Sequence, residues 1–473
     1  MNKTQGTADL SDLHFKTLTE VASLIRHGNI SVVELTGAIL DRIKSLDDIL
    51  KSYATVMADQ ALIAAEKADR DIAAGRYLGP LHGVPIAVKD LCFTKGVRTM
   101  GGSAVFSNHI PDYDATIVTR LEAAGAILLG KLNLAEGAMI GYHPELEIPL
   151  NPWNRGVSAG GSSSGSGVAT AAGFAYATLG SDTGGSIRSP ASACGVVGLK
   201  PTWGRVSRYG IFALAESLDH VGPLSRSTTD AAVIFQAIAG HDPLDPTSLI
   251  DPVPDILGNL AAGVKGVRIG LDQRYVAQET DPELAEAVIA AVRVLETLGA
   301  EIIDVQMPDL AEFLPAWFTL CSAEAALAHE ATYPARRDDY GPWLRNWLDR
   351  GSRVRGAEYA RANSLRAACN GRIRAVFEKI DLLACPSVPA PPGPVNPETL
   401  YGSTSVLETS RLRFTAPFNF NGAPTLSVPC GFNTDGMPLS LQLAGHPLSE
   451  QLLCQAGHAY EKATEWHTFR PNI

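Results

Sequence analysis

Hydrophobic and polar positions along this chain alternate at two periods. Val32, Leu35, Ile39, Ile43 and Leu46 recur at helical spacing, and Thr17-Leu-Thr-Glu20 and Ser31-Val-Val-Glu34 both have capping-box form, so a helical N-terminal segment is expected over about residues 1–75. A further helix over 58–74 ends at Gly75 and then Gly79-Pro80, before a short apolar strand from Val84 to Val88. After Asp114, Ile117, Val118 and Leu121 mark a helix that stops at Gly125, and AILLGKLN returns as a strand. Val267 to Leu271, a helix from Asp281 to Leu298, and Ile302 to Val305 form another strand-helix-strand unit. This alternation predicts an α/β fold with a mixed, largely parallel central sheet covered by helices on both sides. The run ACPSVPAPPGPVNP, from Ala384 to Pro397, is too irregular for an element and reads as a surface connection. No internal repeat is visible.

Composition narrows the class. The 473 residues are 45% hydrophobic and 19% charged, ordinary for a soluble globular protein, and we read 1–473 as a single domain. A net charge of −11 argues against nucleic-acid binding, which needs concentrated Lys and Arg to neutralise phosphates. The seven cysteines are scattered, with no CxxC pair, and read as reduced thiols of a cytoplasmic protein. MNKTQGTADLSDLHF carries no apolar core of a secretory signal. The longest small-apolar stretch, Gly167 to Gly180, is too short to span a membrane.

The chemistry concentrates between Gly160 and Ala191, where two serine-glycine loops flank a run of small apolar residues. Serine is a poor nucleophile unless a base takes its proton, and glycine lets backbone N–H groups crowd around a reacting oxygen. Upstream, HGVPIAVKD delivers Lys89 at the end of an apolar strand. A lysine acts as a base only when neutral, so burial must lower its pKa from about 10.4. Asp90 would oppose that shift, but the next residue on a strand points to the opposite face. Thr183, Gly184, Gly185 and Ser186 offer successive N–H groups for an oxyanion hole, with Asp182 and Arg188 supporting the loop as an ion pair. Ser163, Ser164 and Ser166 read as hydroxyls that satisfy the loop. The eleven histidines show no metal-binding pairing, His82 reads as a turn residue, and Cys194 lacks a nucleophile's context. No metal and no cofactor are expected.

The segment GGSSSGSGVATAAGFAYATLGSDTGGSIRSPA resembles the amidase signature family position for position, and PLHGVPIAVKD resembles its lysine block. The likeness continues through CGVVGLKPTWGRVSRYG, SLDHVGP and FNFNGAPTLSVPCG, and so covers most of the chain. The resemblance implies the family's fold, a catalytic core at about 80–240, and a triad of Lys89, Ser162 and Ser186. In it Ser186 is the nucleophile and Ser162, joined to Gly161 by a cis peptide, passes the proton to Lys89. It also places Met139, Ile140 and Tyr142 near the substrate channel, where YHPELEIPLNPW departs from the usual Asn/Ser-rich pattern. Trp317, Phe318, Trp343 and Trp347 read as core rather than pocket.

The function expected is hydrolysis of neutral, partly apolar amides through an acyl-enzyme, with esters and carbamates as extensions. The partners expected are a small-molecule amide and water, with no nucleic acid and no membrane; a homodimer is left open. Two alternatives stand beside this one: the A-type glutaminase component of an aminoacyl-tRNA amidotransferase, and a phosphate-binding protein built on the glycine-rich loop, although GxxxxGK[ST] is absent.

Overall fold

The computed structural model describes residues 10–402 and 409–473. Eleven strands form one sheet: β1 (Tyr53–Val56), β2 (Pro85–Lys89), β3 (Ile127–Leu132), β4 (Ala177–Asp182), β5 (Val197–Lys200), β6 (His220–Ser225), β7 (Arg268–Leu271), β8 (Glu301–Asp304), β9 (Leu382–Pro386), β10 (Thr425–Phe432) and β11 (Pro438–Gly445). Their order is β1-β3-β2-β4-β6-β5-β10-β11-β9-β7-β8. The sheet is mixed. Its parallel pairings lie in two runs, β3-β2-β4 and β9-β7-β8, where helices make the crossovers, and antiparallel ladders join those runs through the centre. Every residue of β2, β3 and β4 is buried, as strands covered by helices on both faces must be, whereas edge strands β1 and β8 are only partly covered.

The N-terminal helices α1 (Leu18–Arg26) and α2 (Val32–Leu50) begin at the two expected capping boxes, and α3 (Ala58–Ala73) follows β1. Next come α4 (Thr116–Ala123), α5 (Ser164–Ala171), α6 (Arg188–Cys194) and α7 (Thr228–Ile238). The Pro-rich run departs from expectation. Its first residues complete β9, where Pro386 is the last strand position and forgoes only a terminal N–H. The rest is pinned: Asp281 N–H donates to the Pro389 carbonyl, Ser158 N–H to that of Gly393, and Val395 N–H to that of Gly156. No helix among the described residues is long and apolar enough to cross a membrane.

Parallel register sets the site. Ile86, Ala87 and Val88 of β2 stand beside Ala177, Thr178 and Leu179 of β4, so both strands run out at one edge of the sheet, with Lys89 ending β2 and Asp182 ending β4. The loops that leave these carboxyl ends, and the loop that enters α5, converge there.

Candidate active site

Lys89 is wholly buried, and its Nζ donates to Ser162 Oγ at 2.8 Å, Ser163 Oγ at 2.9 Å and Ser181 Oγ at 2.9 Å. The Gly161–Ser162 peptide is cis. Ser163 is tied down: its hydroxyl donates to the Ser181 carbonyl at 3.1 Å and accepts from Ser181 N–H at 3.2 Å. A Cβ on Gly180 would lie 2.8 Å from Ser163 Oγ, so β4 needs glycine there to let that serine reach the lysine. Burial brings Lys89 down to about 7, with nearby Cys92, Asp219 and Asp182 pulling the other way. Asp90 turns away from the site, as strand alternation requires; it faces Lys131 at 3.3 Å and accepts Met100 N–H at 2.9 Å. Burial thus brings the amine close to its neutral form near pH 7, and of its three hydroxyl contacts only Ser163 carries a further hydrogen bond among the described residues, which leaves the Ser162 and Ser181 hydroxyls free to donate elsewhere.

The loop from Asp182 to Arg188 is braced from within. Burial alone would raise the Asp182 carboxyl, but the Arg188 guanidinium holds it well below the usual carboxylate range. The two form a bidentate pair, Nε to Oδ2 at 3.0 Å and Nη2 to Oδ1 at 2.8 Å, both side chains fully buried. Asn419 and Gln442 complete it, Asn419 donating to Asp182 Oδ1 at 2.9 Å and Gln442 Oε1 accepting from Arg188 at 3.1 Å. The same carboxylate takes the N–H groups of Gly185 at 2.8 Å and Ile187 at 3.0 Å. Of the four N–H groups expected from sequence to form an oxyanion hole, that of Gly185 is thus held by Asp182, while those of Thr183, Gly184 and Ser186 stand outside this carboxylate's reach.

Thr183 is held on both sides. Its hydroxyl donates to Asp219 Oδ1 at 2.5 Å, and its carbonyl accepts from Trp317 Nε1 at 2.9 Å. Asp219 Oδ2 accepts the N–H groups of Leu214 and Ala215, and burial pushes this carboxyl up to about 6. Trp317 lies so close over the loop that a Cβ on Gly184 would stand 2.6 Å from its ring.

Ser186 opens onto a cleft of about 970 Å³. Met139, Ile140 and Tyr142 line it, as does the Pro-rich segment from Val388 to Val395. The Tyr142 hydroxyl donates to Ser164 Oγ at 2.9 Å. Of the four aromatic residues read as core, Trp317 and Trp343 also wall the cleft; Trp347 packs behind them, 5.9 Å from the Trp317 ring centroid and 5.8 Å from that of Phe318. His82 accepts Leu78 N–H at 3.1 Å and so serves its turn. Cys194 is buried and its thiol pushed up by that burial. Among the described residues no group of three or more His, Cys, Asp or Glu side chains could hold a metal ion.

Sequence reading did not assign Asp219, Asn419, Gln442 or Trp317 to the site. Asp219 and Asn419 lie inside SLDHVGP and FNFNGAP, stretches that carried the resemblance, whereas Trp317 carried no local signal because its role exists only across 134 residues of chain.

Known proteins resemble this chain over nearly its whole length. A family model described as Amidase matches residues 34–454. The putative amidase AmiD of Mycobacterium tuberculosis is 47% identical over 460 residues, covering 96% of each chain. The A-type component of the glutamyl-tRNA(Gln) amidotransferase of Moorella thermoacetica is 42% identical over 488 residues, covering 98% of this chain and 99% of that one. A bacterial aryl acylamidase of the amidase signature enzymes superposes with a TM-score of 0.87 at 26% identity, covering 97% and 99%. A match that spans fold, site loops and nearly the full length leaves one assignment: this chain belongs to the amidase signature family and is one of its hydrolases.

Proposed function

We propose that this chain is an independent amidohydrolase for neutral, partly apolar aryl or alkyl amides, with esters and carbamates open to the same acyl chemistry. The observation that carries this reading is a buried amine at about 7, hydrogen-bonded to Ser162, behind a cleft walled by Met139, Ile140, Trp317 and prolines. In this account Ser186 Oγ attacks the amide carbon while its proton passes to Ser162, and the Ser162 proton passes to Lys89. Thr183, Gly184 and Ser186 N–H groups stabilise the oxyanion. Lys89 returns the proton through Ser162 to the leaving nitrogen, the C–N bond breaks, and water releases the acid by the same relay. Seven buried free cysteines support a cytoplasmic location.

The near full-length likeness to the Moorella thermoacetica amidotransferase component favours a second reading, a glutaminase that serves a partner. The test is a screen of the purified chain against anilides, alkyl amides, esters, carbamates and glutamine, with Ser186→Ala as control. Turnover of uncharged amides by the chain alone is the expected result. Turnover of glutamine only, and only with a partner and acceptor tRNA, would overturn it.

A further inference from the structure

Beyond Ser186 the cleft carries hydroxyls that neither the proposed chemistry nor the fold uses. Ser189 and Ser192 follow Ser186 at intervals of three residues, so a single face of α6 and the turn before it presents all three to the cleft. Ser192 is 3% exposed, and its hydroxyl has no protein hydrogen-bond partner among the described residues; nor has that of Ser189. A serine in a buried helical segment ordinarily bonds back to a preceding carbonyl or is replaced by something apolar. These two instead line the cleft.

A third hydroxyl stands next to them. Ser158 also lines the cleft, and its loop is clamped to α6, because Asn151 Nδ2 bridges the Ser158 and Ala193 carbonyls at 2.9 Å each. Gly160 packs on the same surface, where a Cβ would meet Ser189 O and Pro190 N at 2.7 Å. Ser158 Oγ accepts Gly160 N–H at 3.1 Å, which leaves its own hydrogen free to donate. The helical rise separates the Ser189 and Ser192 backbone positions by roughly 4.5 Å along the axis.

Resting on the amidohydrolase reading above, we propose that Ser158, Ser189 and Ser192 form a polar subsite for the acyl portion of the substrate, selecting acids that carry a second amide or carbonyl beyond the scissile group. The acyl carbon is bonded to Ser186 through half of the cycle, so its substituent runs along the face that Ser186 shares. The leaving nitrogen lies toward Ser162 and Lys89. Met139, Ile140 and Trp317 give the same cleft an apolar lining for the rest of the substrate to use.

The experiment compares N-acetylglycyl-4-nitroanilide with 4-nitroanilides of unbranched acids of the same length, in wild type, Ser189→Ala and Ser192→Ala. Alanine is the better helix former and leaves no void, so both variants keep the fold. Wild type is expected to favour the acetylglycyl substrate. Each variant should raise its KM about three- to tenfold, the range for one neutral hydrogen bond, with kcat and the apolar anilide nearly unmoved. Equal losses on both substrates, or none on either, would overturn the subsite. Binding of N-acetylglycinamide against pentanamide to the Ser186→Ala chain, followed by NMR titration, separates the two readings. If no anilide is turned over but the Ser192→Ala change still weakens N-acetylglycinamide alone, the amidohydrolase reading fails and the subsite stands. Equal binding of both amides by each chain overturns the subsite.

Discussion

Trp317 Nε1 donates to the Thr183 carbonyl at 2.9 Å, so a helix from the second half of the chain fixes the strand end that carries the proposed oxyanion loop. The indole ring also closes over Gly184, and the contact therefore has a polar and a steric part. Trp317→Phe removes the first and keeps most of the second. Loss of one such bond predicts a fall in kcat of about three- to tenfold with KM little changed, because a loosened oxyanion donor is felt in the transition state. Steady-state kinetics on any turned-over amide checks it, and a change confined to KM would place Trp317 in substrate binding alone.

The Asp182–Arg188 pair should be the most costly single ion pair to break. Both side chains are fully buried, and Asp182 additionally holds two loop N–H groups. Asp182→Ala strands a buried guanidinium beside unsatisfied donors, a change expected to cost about 3–5 kcal/mol. The exposed pair Arg336–Asp339, by contrast, should cost less than about 1 kcal/mol on Asp339→Ala. Urea unfolding of the two variants, compared at equal m-value, measures the difference.

How much of this was legible follows from the range of each interaction. The capping boxes of α1 and α2, the strand ending at Lys89 and the two serine-glycine loops are local, and sequence spacing specifies local structure. Asp90 facing away from Lys89 followed from strand alternation alone. The commitment of the Gly185 N–H was not legible, since it depends on how Asp182 folds back under its own loop. Nor was the place of Trp317 and Trp343, because a buried aromatic that walls a cleft has the same sequence pattern as one deep in the core. The antiparallel centre of the sheet was hidden for a related reason: β5 pairs with β10, and β9 with β11, across long separations that no helical crossover announces.

The three hydroxyls around Lys89 should separate by substitution. Ser163 and Ser181 each supply one acceptor to the amine, so alanine at either should lower kcat about three- to tenfold. In the proposed relay Ser162 also carries the proton, and Ser162→Ala should lower kcat at least about a hundredfold. Equal effects at all three positions would show that Ser162 only orients the amine. A serine-directed phosphonylating probe should meanwhile label Ser186 in all three variants, with peptide mapping as the readout.

Lys89 makes the pH dependence calculable in sign. With the buried amine at about 7, kcat/KM for an uncharged amide should rise with pH about tenfold per unit below that value and level off above it. Stability moves too. In the unfolded chain this lysine titrates near 10.5, so between about 7 and 10.5 the unfolded state binds the extra proton and the native state does not. Stability therefore carries a penalty from Lys89 that is complete below 7 and is relieved as pH climbs to 10.5. Lys89→Met removes both effects: the activity limb disappears with turnover, and unfolding measured from about pH 7 to 10 loses that upward contribution relative to wild type. A wild-type rate profile that is flat across neutrality, under conditions where chemistry limits turnover, would exclude the lysine as the titrating base.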